Sequence, residues 1–367
     1  MLILKAKENM KIVFFTRLFY PHIGGVEKHV LEISKILIKK GHEVFILTEV
    51  FSKSYSNTYQ SDKVSANKIG EVEGIKVFRI NTGKDNWFKK FRVWKELIKH
   101  RSLIKEADIV HCHDVFFWFL PFLIIYPFKP VFTTFHGYEG NKIPERNSIA
   151  VHRVSEIFSR GNICIGEFFR KWYGTKPTYV SYGAVKIIDV GINKKNIRKK
   201  IMYIGRLEEE AGIMQYLKAL KLLKDRNYNY TLYVYGDGSQ RREAEIFSKK
   251  NNLNVVFKGF DSKAESYIQN YNYIFVSRYL GILEALVNKK VIFAVYNNEI
   301  KKDYLEMTPF RNFIYICEDY LEIARKVEHL IENKKEEELM IKNGYRWVEK
   351  QTWEKLVNLY LKLWNIN

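Results

Sequence analysis

Short runs of β-branched and aromatic residues alternate with segments of helical periodicity along the whole chain. This alternation is typical of βα units arranged around parallel sheets. In the first half the runs predict strands at residues 11–16, 43–48, 75–80, 108–112, 131–134 and 162–165. In the second half they predict strands at residues 201–204, 231–235, 254–257, 273–276, 291–294 and 313–316. Three closing helices are predicted to begin at Tyr320, Lys334 and Trp353.

The chain has 367 residues, more than a single hydrophobic core usually organises, which indicates two domains. Residues 191–200 are polar and strongly basic and therefore predict a linker. We expect an α/β fold with Rossmann-like doubly wound domains at 10–190 and 201–350. These domains should face across a cleft at the carboxyl ends of their strands, where such sheets bind ligands. Residues 1–9 predict a disordered extension, and residues 51–70 predict a mobile loop.

Positive charge is concentrated in the first half of the chain. The formal net charge is +20, and residues 1–200 hold 35 Lys and Arg against 18 Asp and Glu. This excess predicts contact with something anionic, such as phospholipid headgroups, lipid-linked phosphates or nucleic acid. Nucleic acid is disfavoured, because no helix-turn-helix, zinc-finger or RRM pattern accompanies the charge.

The three cysteines, Cys112, Cys164 and Cys317, are far apart and include no CxxC pair. The sequence therefore supports neither a disulfide framework nor a four-cysteine zinc site, and it favours a reducing compartment. The first residues lack the apolar segment of a signal peptide. The apolar stretch at 115–128 is too short to span a bilayer, which needs about 20 residues, and we interpret it as a buried helix.

Two segments of the first half are candidate binding elements. Gly24 and Gly25 lie between a strand and a helix, where a backbone can approach an anion closely, although an ordinary turn explains them equally well. The run His111-Cys-His-Asp114 has the spacing of metal ligands. No companion ligand cluster lies at the usual spacing, so we interpret the run as a strand end and expect no metal.

Three polar side chains follow predicted strands, where open α/β sheets place working residues. A neutral imidazole at His136 suits a sugar hydroxyl, and the guanidinium fork of Arg206 suits a diphosphate. Glu284 lies among apolar residues, where its carboxylate needs donors such as ribose hydroxyls. The plainer alternatives are a capping or core histidine, a surface arginine paired within 208–210, and a solvated glutamate.

Five short motifs occur in a fixed order: Gly24-Gly25-Val26-Glu27, His136-Gly137, Gly205-Arg206-Leu207, Gly236-Asp237-Gly238 and Leu283-Glu284-Ala285. From Met10 onward, their order and spacing resemble the retaining, nucleotide-sugar-dependent glycosyltransferases of family 4, which have the GT-B fold. The resemblance implies that the first domain receives an acceptor and that the second binds a nucleoside diphosphate sugar. It also implies that residues 351–367 form a terminal helix that crosses back to pack on the first domain.

The resemblance further assigns roles to matching residues. It places His136 by the transferred sugar, Gly25 near the phosphates, Arg206 on the diphosphate and Glu284 on the ribose. His136, Arg206 and Glu284 form the expected catalytic set. The donor is expected to be a UDP- or GDP-sugar, with no metal and no other cofactor. The expected donor-binding residues are Gly24, Gly25, Arg206, Arg278, Tyr279, Leu280, Gly281 and Glu284.

Two positions depart from the family pattern. Ala211 stands where the family usually has a lysine, and Val276 stands where it usually has a glutamate. We hypothesise that Arg278 replaces the lysine, while the amides from Tyr279 to Gly281 hold sugar and phosphate. The alternative is that Arg278 packs structurally and that the chain binds donors poorly.

An aromatic stripe lies within a basic segment of the first half. Trp87, Phe91, Trp94 and Ile98 are spaced for one helical face, and residues 84–105 hold eight basic and two acidic side chains. This pattern is typical of a helix lying on an anionic membrane surface. It is equally typical of a domain helix that buries its aromatic face and exposes its lysines.

The sequence therefore predicts a glycosyltransferase that moves a sugar, with retention, from a nucleotide donor to a glycan or lipid-linked acceptor. The expected location is the cytoplasm, with peripheral attachment to the inner face of the membrane as a further alternative. A catalytically silent binding protein and a nucleotide-sugar epimerase remain open as other functions. The oligomeric state is not predicted.

Overall fold

The computed structural model describes residues 9–50, 70–138, 142–188 and 199–365. The predicted extension, loop and linker lie almost entirely outside these ranges. The described residues form two compact units, each built around a largely parallel sheet with helices. The predicted fold class of two doubly wound α/β domains is therefore confirmed.

The sheet of the first unit has eight strands. They are β1 (Lys11–Thr16), β2 (Glu43–Glu49), β3 (Gly70–Val72), β4 (Ile75–Ile80), β5 (Ile109–His113), β6 (Val131–Phe135), β7 (Asn162–Ile165) and β8 (Tyr179–Ser181). Their order is β3-β4-β2-β1-β5-β6-β7-β8, and all pairings are parallel except that of β3 with β4. The helices that follow in chain order are α1 (Gly25–Lys39), α2 (Lys89–Lys99), α3 (Arg101–Glu106), α4 (Leu120–Ile125), α5 (Arg146–Phe158) and α6 (Phe168–Trp172).

The sheet of the second unit has six strands, all paired in parallel. They are β9 (Lys200–Ile204), β10 (Thr231–Tyr235), β11 (Val255–Gly259), β12 (Tyr273–Phe275), β13 (Val291–Val295) and β14 (Tyr315–Cys317). Their order is β11-β10-β9-β12-β13-β14. The remaining helices are α7 (Ile213–Asp225), α8 (Arg241–Lys250), α9 (Tyr279–Val287), α10 (Glu299–Glu306), α11 (Tyr320–Glu332), α12 (Lys334–Val348) and α13 (Trp353–Leu363).

The central strands are continuous apolar runs because helices cover both faces of the sheets. Every residue of β13 is buried, and β1 is buried after its first residue. A parallel strand that is covered on both faces has no solvent side on which to alternate polar residues. The edge strand β11, in contrast, alternates half-buried and exposed positions.

The terminal helix α13 belongs to the first unit, as the resemblance implies. It packs against α1, although it follows the whole second unit in the chain. The division between the units falls after Ser181, so residues 182–188 group with the second unit. The sequence analysis placed those residues in the first domain, whose predicted end is residue 190.

The interpretation of residues 115–128 as one buried helix is wrong. The segment forms a 3-10 turn at Phe116–Phe119 followed by the short helix α4, with Pro121 in the first turn of α4. Proline fits a first helical turn and cannot continue an existing ladder of hydrogen bonds. The end of the segment is exposed, with Ile124 at 87% and Phe128 at 84%. Among the described residues, no helix is both long and apolar enough to cross a membrane.

Candidate active site

Three histidines from distant parts of the sequence meet in the first unit. His29 lies on α1, His113 ends β5, and His136 follows β6. One nitrogen from each ring lies within 4.8 Å of the others, and we call this group the histidine cluster. The carboxyl ends of β5 and β6 are adjacent in the sheet, which brings His113 and His136 together. His136 directly follows a strand, as the sequence analysis expected, whereas His29 is a member of the cluster that the sequence analysis missed.

Direct contacts hold the rings of the histidine cluster in place. His113 Nδ1 lies 2.8 Å from His136 Nε2, and the rings of His29 and His136 pack edge to face at 4.6 Å between centroids. The backbone N–H of His136 donates to the carboxylate of Asp114 at 2.9 Å. Asp114 has a φ of 60°, a left-handed conformation that Asp adopts more readily than most residues. These contacts fix the turn that presents His136.

Burial keeps the histidine cluster neutral. Desolvation lowers the pKa of His29 to about 3. It also lowers the pKa of His113 well below the ordinary value, and the neighbouring rings of His111, His136 and His29 add to this shift. The pKa of His136 is lowered well below its ordinary value by the same desolvation and by His29 and His111. At neutral pH the cluster therefore offers uncharged hydrogen-bonding groups.

Neutral imidazoles are also metal ligands, so the histidine cluster bears on the expectation of no metal. His113 has no further ligand at the usual spacing in the sequence, but the structure brings two other imidazoles near it, those of His29 on α1 and His136 after β6. However, two nitrogen ligands of a tetrahedral zinc ion stand about 3.3 Å apart, given zinc–nitrogen bonds of about 2 Å. The nitrogens of His113 and His136 are 2.8 Å apart, a hydrogen-bond distance. The geometry fits a hydrogen-bonded cluster better than a metal site, and the absence of a metal stays a prediction.

The glycine pair begins α1. Gly24 is the N-cap residue in an extended conformation, and Gly25 is the first residue of the helix. A side chain at Gly24 would meet the carboxylate of Glu27 at 2.5 Å, whereas no atom of the described residues lies within 4 Å of the corresponding position at Gly25. Glu27 in turn pairs with His22 at 2.8 Å. Gly25 therefore leaves open space at a 15-residue helix N-terminus, as a backbone approach to an anion requires.

Two arginines converge on one carboxylate in the second unit. Arg206 follows β9 and Arg278 follows β12, and these strands are neighbours in the sheet. Oε1 of Glu210 lies 3.1 Å from Arg206 and 3.3 Å from Arg278. We call Arg206 and Arg278 the arginine pair. The pairing of Arg206 within 208–210, which was the plainer alternative for this residue, is thus observed, and the Arg206 side chain is 71% exposed; Glu210 also holds Arg278 beside it.

A buried lysine lies behind the arginine pair. Lys301 on α10 is fully buried, and its ammonium donates to the backbone carbonyl of Ser277 and stands 4.6 Å from the ring centroid of Tyr304. Burial lowers the pKa of Lys301 well below its ordinary value, and the positive charge of Arg278 lowers it further. The sequence analysis missed Lys301 because it lies far from the other motifs, after the neighbouring strand β13.

The first turn of α9 contributes less to a ligand site than expected. The backbone N–H of Tyr279 donates to the hydroxyl of Tyr304 at 3.0 Å, so this amide is already used within the protein. This contact corrects the expectation that the amide of Tyr279 holds the donor. Leu280 and Gly281 are half-buried, and a side chain on Gly281 would meet Val276 Cγ2 at 2.6 Å. Glycine is therefore needed there for packing of the loop against the helix.

Glu284 lies one turn further along α9 and is only 8% exposed. The alternative of a solvated glutamate is therefore excluded. A buried carboxylate requires hydrogen-bond donors, because burial without them costs several kcal/mol. Arg206, Arg278 and Glu284 all lie in the second unit, whereas His136 and the glycine pair lie in the first.

Two parallel α/β units are the architecture of GT-B proteins, and sequence comparison identifies the class of enzyme. Residues 23–178 match the family described as Glycosyltransferase Family 4, and residues 186–347 match the family described as Glycosyl transferases group 1. The chain belongs to this family of glycosyltransferases and is an enzyme of that class.

Relatives and solved structures agree with this assignment. An uncharacterised glycosyltransferase of Methanocaldococcus jannaschii is 23% identical over 94% of the chain and 95% of its own length. A Campylobacter jejuni N-acetylgalactosaminyltransferase, named for a glycan on diphosphoundecaprenol, is 22% identical over 91% of the chain and 95% of its length. The Anabaena protein HepE, solved with UDP and glucose, superimposes with a TM-score of 0.67 at 14% identity, covering 96% of this chain and 98% of its own.

Proposed function

We propose that the protein transfers a sugar, with retention of the anomeric configuration, from a nucleoside diphosphate sugar to a glycan or lipid-linked acceptor. The observation that carries this proposal is the convergence of the arginine pair on Glu210, in front of the buried Lys301. Binding of UDP by HepE and the lipid-linked glycan in the name of the Campylobacter relative support the choice of donor and acceptor.

The arginine pair is arranged to receive an anion. Glu210 holds two guanidinium groups within reach of a single oxygen, which fixes their spacing before a ligand arrives. A diphosphate carries more negative charge than one carboxylate and offers several oxygens to two guanidinium forks. The diphosphate competes with Glu210 for the arginines, and its departure from the sugar is stabilised by the same cations. Arg278 thus supplies the positive charge that the family usually takes from the lysine replaced by Ala211.

The histidine cluster suits a role by the sugar. His136 is half-buried and neutral, so it hydrogen-bonds a sugar hydroxyl without adding charge. Retention follows in the proposal because the acceptor hydroxyl attacks from the face that the diphosphate leaves. The cations that bind the diphosphate then hold it beside the attacking hydroxyl, where it accepts the hydroxyl proton.

The acceptor side of the proposal rests on the aromatic stripe. Trp87 is 80% exposed and Phe91 is 54% exposed, whereas Val93 and Leu97 of the same segment are buried. The core face of α2 is therefore the Val93 and Leu97 face, whereas Phe91 and Ile98 are turned to solvent, as is Trp87 just before α2. Trp94 is half-buried, packs against the core and donates its Nε1–H to the backbone carbonyl of Phe117 at 2.8 Å, so the aromatic stripe does not form one exposed face. Exposed aromatics among lysines favour the interpretation as a contact with an anionic membrane, where lipid-linked acceptors reside.

Liposome sedimentation tests the membrane contact. We expect the protein to bind vesicles with anionic lipid and to release them at high salt, because the attraction is partly electrostatic. Replacing Trp87 and Phe91 together by Ser should abolish binding. The matched control is Leu339→Ser, which removes a 59% exposed apolar side chain from α12 of the second unit. Equal binding by the double variant and the control would contradict the membrane contact.

Turnover of a panel of UDP- and GDP-sugars, with and without a lipid-linked acceptor fraction, tests the function itself. Release of nucleoside diphosphate only when acceptor is present supports transfer, and the anomeric coupling constant of the product reports retention or inversion. Interconversion of the free nucleotide sugar would instead identify an epimerase. Binding without turnover of any donor would identify a catalytically silent protein.

A further inference from the structure

A continuous hydrogen-bonded chain runs from Trp364, the residue after α13, to the histidine cluster. Trp364 Nε1 lies 3.1 Å from His111 Nδ1, and His111 Nε2 lies 2.7 Å from Thr134 Oγ1. Thr134 Oγ1 lies 2.8 Å from the hydroxyl of Tyr360, which lies 2.8 Å from His29 Nε2. All five side chains are buried in the first unit. The chain of bonds therefore joins the C-terminal helix to a ring that packs on His136.

The direction of every bond in this chain is determined by its first member. The indole of Trp364 donates only, so His111 Nδ1 accepts and the neutral ring carries its proton on Nε2. His111 Nε2–H then donates to Thr134. The hydroxyl of Thr134 has one proton of its own, and within the described part of the chain its remaining partner is Tyr360. Thr134 therefore donates to Tyr360, and Tyr360 donates to His29 Nε2.

This direction assigns the protons of the histidine cluster. His29 accepts at Nε2, so its proton is on Nδ1. His113 Nε2 is buried and has no hydrogen-bond partner among the described residues, and a buried N–H without a partner is rarer than a buried lone pair. His113 therefore carries its proton on Nδ1 and donates it to His136 Nε2. His136 then presents Nδ1–H as a hydrogen-bond donor.

We propose that Tyr360 and Trp364 are positioning residues of the active site, which fix the neutral tautomer of His29 and thereby the ring that packs on His136. The inference rests on the proposed function for its catalytic meaning, but the tautomers themselves do not. Burial supports these tautomers because it keeps both rings neutral. A protonated His111 could not accept from Trp364, and a protonated His29 could not accept from Tyr360. A zinc ion bound at Nδ1 of His29 would have to displace the proton that this chain of bonds assigns to that nitrogen.

Nitrogen-15 spectra of the full-length protein, labelled in its histidine rings, test the assignment. We expect the Nδ1–H tautomer at His29 and the Nε2–H tautomer at His111 at neutral pH. In Tyr360→Phe the His29 signals should move to the Nε2–H tautomer or to a mixture, because its donor is lost. Tyr315→Phe, which removes a hydroxyl bonded to Glu336 in the second unit, is the matched control and should change neither ring.

The outcomes separate this inference from the proposed function. Wild-type spectra with His29 protonated on Nε2, or an unchanged His29 in Tyr360→Phe, would overturn the inference. Stoichiometric zinc in the purified protein, with spectra that change on chelation, would also overturn it. If Tyr360→Phe does not fold, the wild-type spectra and Trp364→Phe still decide.

Kinetics then test the positioning role. Tyr360→Phe should lower kcat about tenfold with little change in the KM for the nucleotide sugar. If Tyr360 had only a structural role, kcat of the folded fraction would be unchanged, and that result would overturn the proposal. If the expected tautomers are found but no donor is turned over, the network stands and the proposed function fails.

Discussion

Acid should destabilise the first unit steeply, because the protein buries neutral histidines there. His29, His111 and His113 are at most 4% exposed, and burial holds the pKa of each far below its ordinary value, to about 3 for His29. In the unfolded chain each imidazole titrates near pH 6.5. A group whose pKa is lowered by folding contributes stability that is present above the unfolded pKa and lost as the pH falls. The loss therefore begins near pH 6.5 and continues towards pH 3 for His29.

The magnitude follows from the linkage between pKa and stability. Each pH unit below 6.5 costs about 1.4 kcal/mol per histidine, so one ring costs about 2 kcal/mol at pH 5. Three rings cost about 6 kcal/mol, which is comparable with the whole stability of many domains, about 5 to 15 kcal/mol. His136 is half-buried and is not counted in this sum.

Urea unfolding followed by tryptophan fluorescence measures this effect at pH 7 and at pH 5. Of the seven tryptophans, only Trp347 lies in the second unit, so the signal reports mainly on the first. The unfolding free energy should be several kcal/mol lower at pH 5 than at pH 7. In His29→Gln the slope of the unfolding free energy against pH should decrease by the equivalent of about one proton. A free energy that stays constant from pH 7 to pH 5, or a slope unchanged by His29→Gln, would refute the reasoning.

Two further predictions concern stability near the proposed site, and both use urea unfolding. Gly281→Ala should destabilise the second unit by about 1 to 3 kcal/mol, because the added methyl group meets Val276 Cγ2 at 2.6 Å; an unchanged midpoint would show that the loop relaxes freely. Asp114→Ala should cost about 2 to 4 kcal/mol, because it removes the acceptor for the His136 amide and places alanine at a φ of 60°. Asp114→Asn should cost less, since it keeps an acceptor and tolerates the left-handed conformation, and equal losses in the two variants would contradict this explanation.

The strand pattern of both sheets could be predicted from the sequence because buried parallel strands are continuous apolar runs. The predicted bounds of 11–16, 75–80, 162–165 and 231–235 are those of β1, β4, β7 and β10, and the three closing helices begin at the predicted residues. The strands β3 and β8 were not predicted. They lie at the two edges of the first sheet and none of their residues is buried, so they carry no apolar run, whereas the equally short β12 is fully buried and was predicted.

Several candidate site residues could be found from the sequence because they follow a predicted strand. His136, Arg206 and Arg278 each lie within three residues of a strand end, where the sequence analysis placed them. His29 and Lys301 lie on helices, where a lone polar residue normally faces solvent, and only the tertiary structure shows that they are buried. The aromatic stripe is a third case, because helical periodicity does not indicate which of its residues meet the core.

The central claim is that the second unit binds a nucleoside diphosphate through the arginine pair, and titration calorimetry with UDP and GDP tests it most directly. The wild-type protein should bind one of them, and Arg278→Ala should weaken the affinity about 10- to 100-fold, the usual effect of losing a hydrogen bond to a charged group. Arg226→Ala, which removes an ion pair with Glu328 elsewhere in the same unit, should bind like the wild type. Equal affinities for all three proteins, or no binding of either nucleotide, would contradict the account.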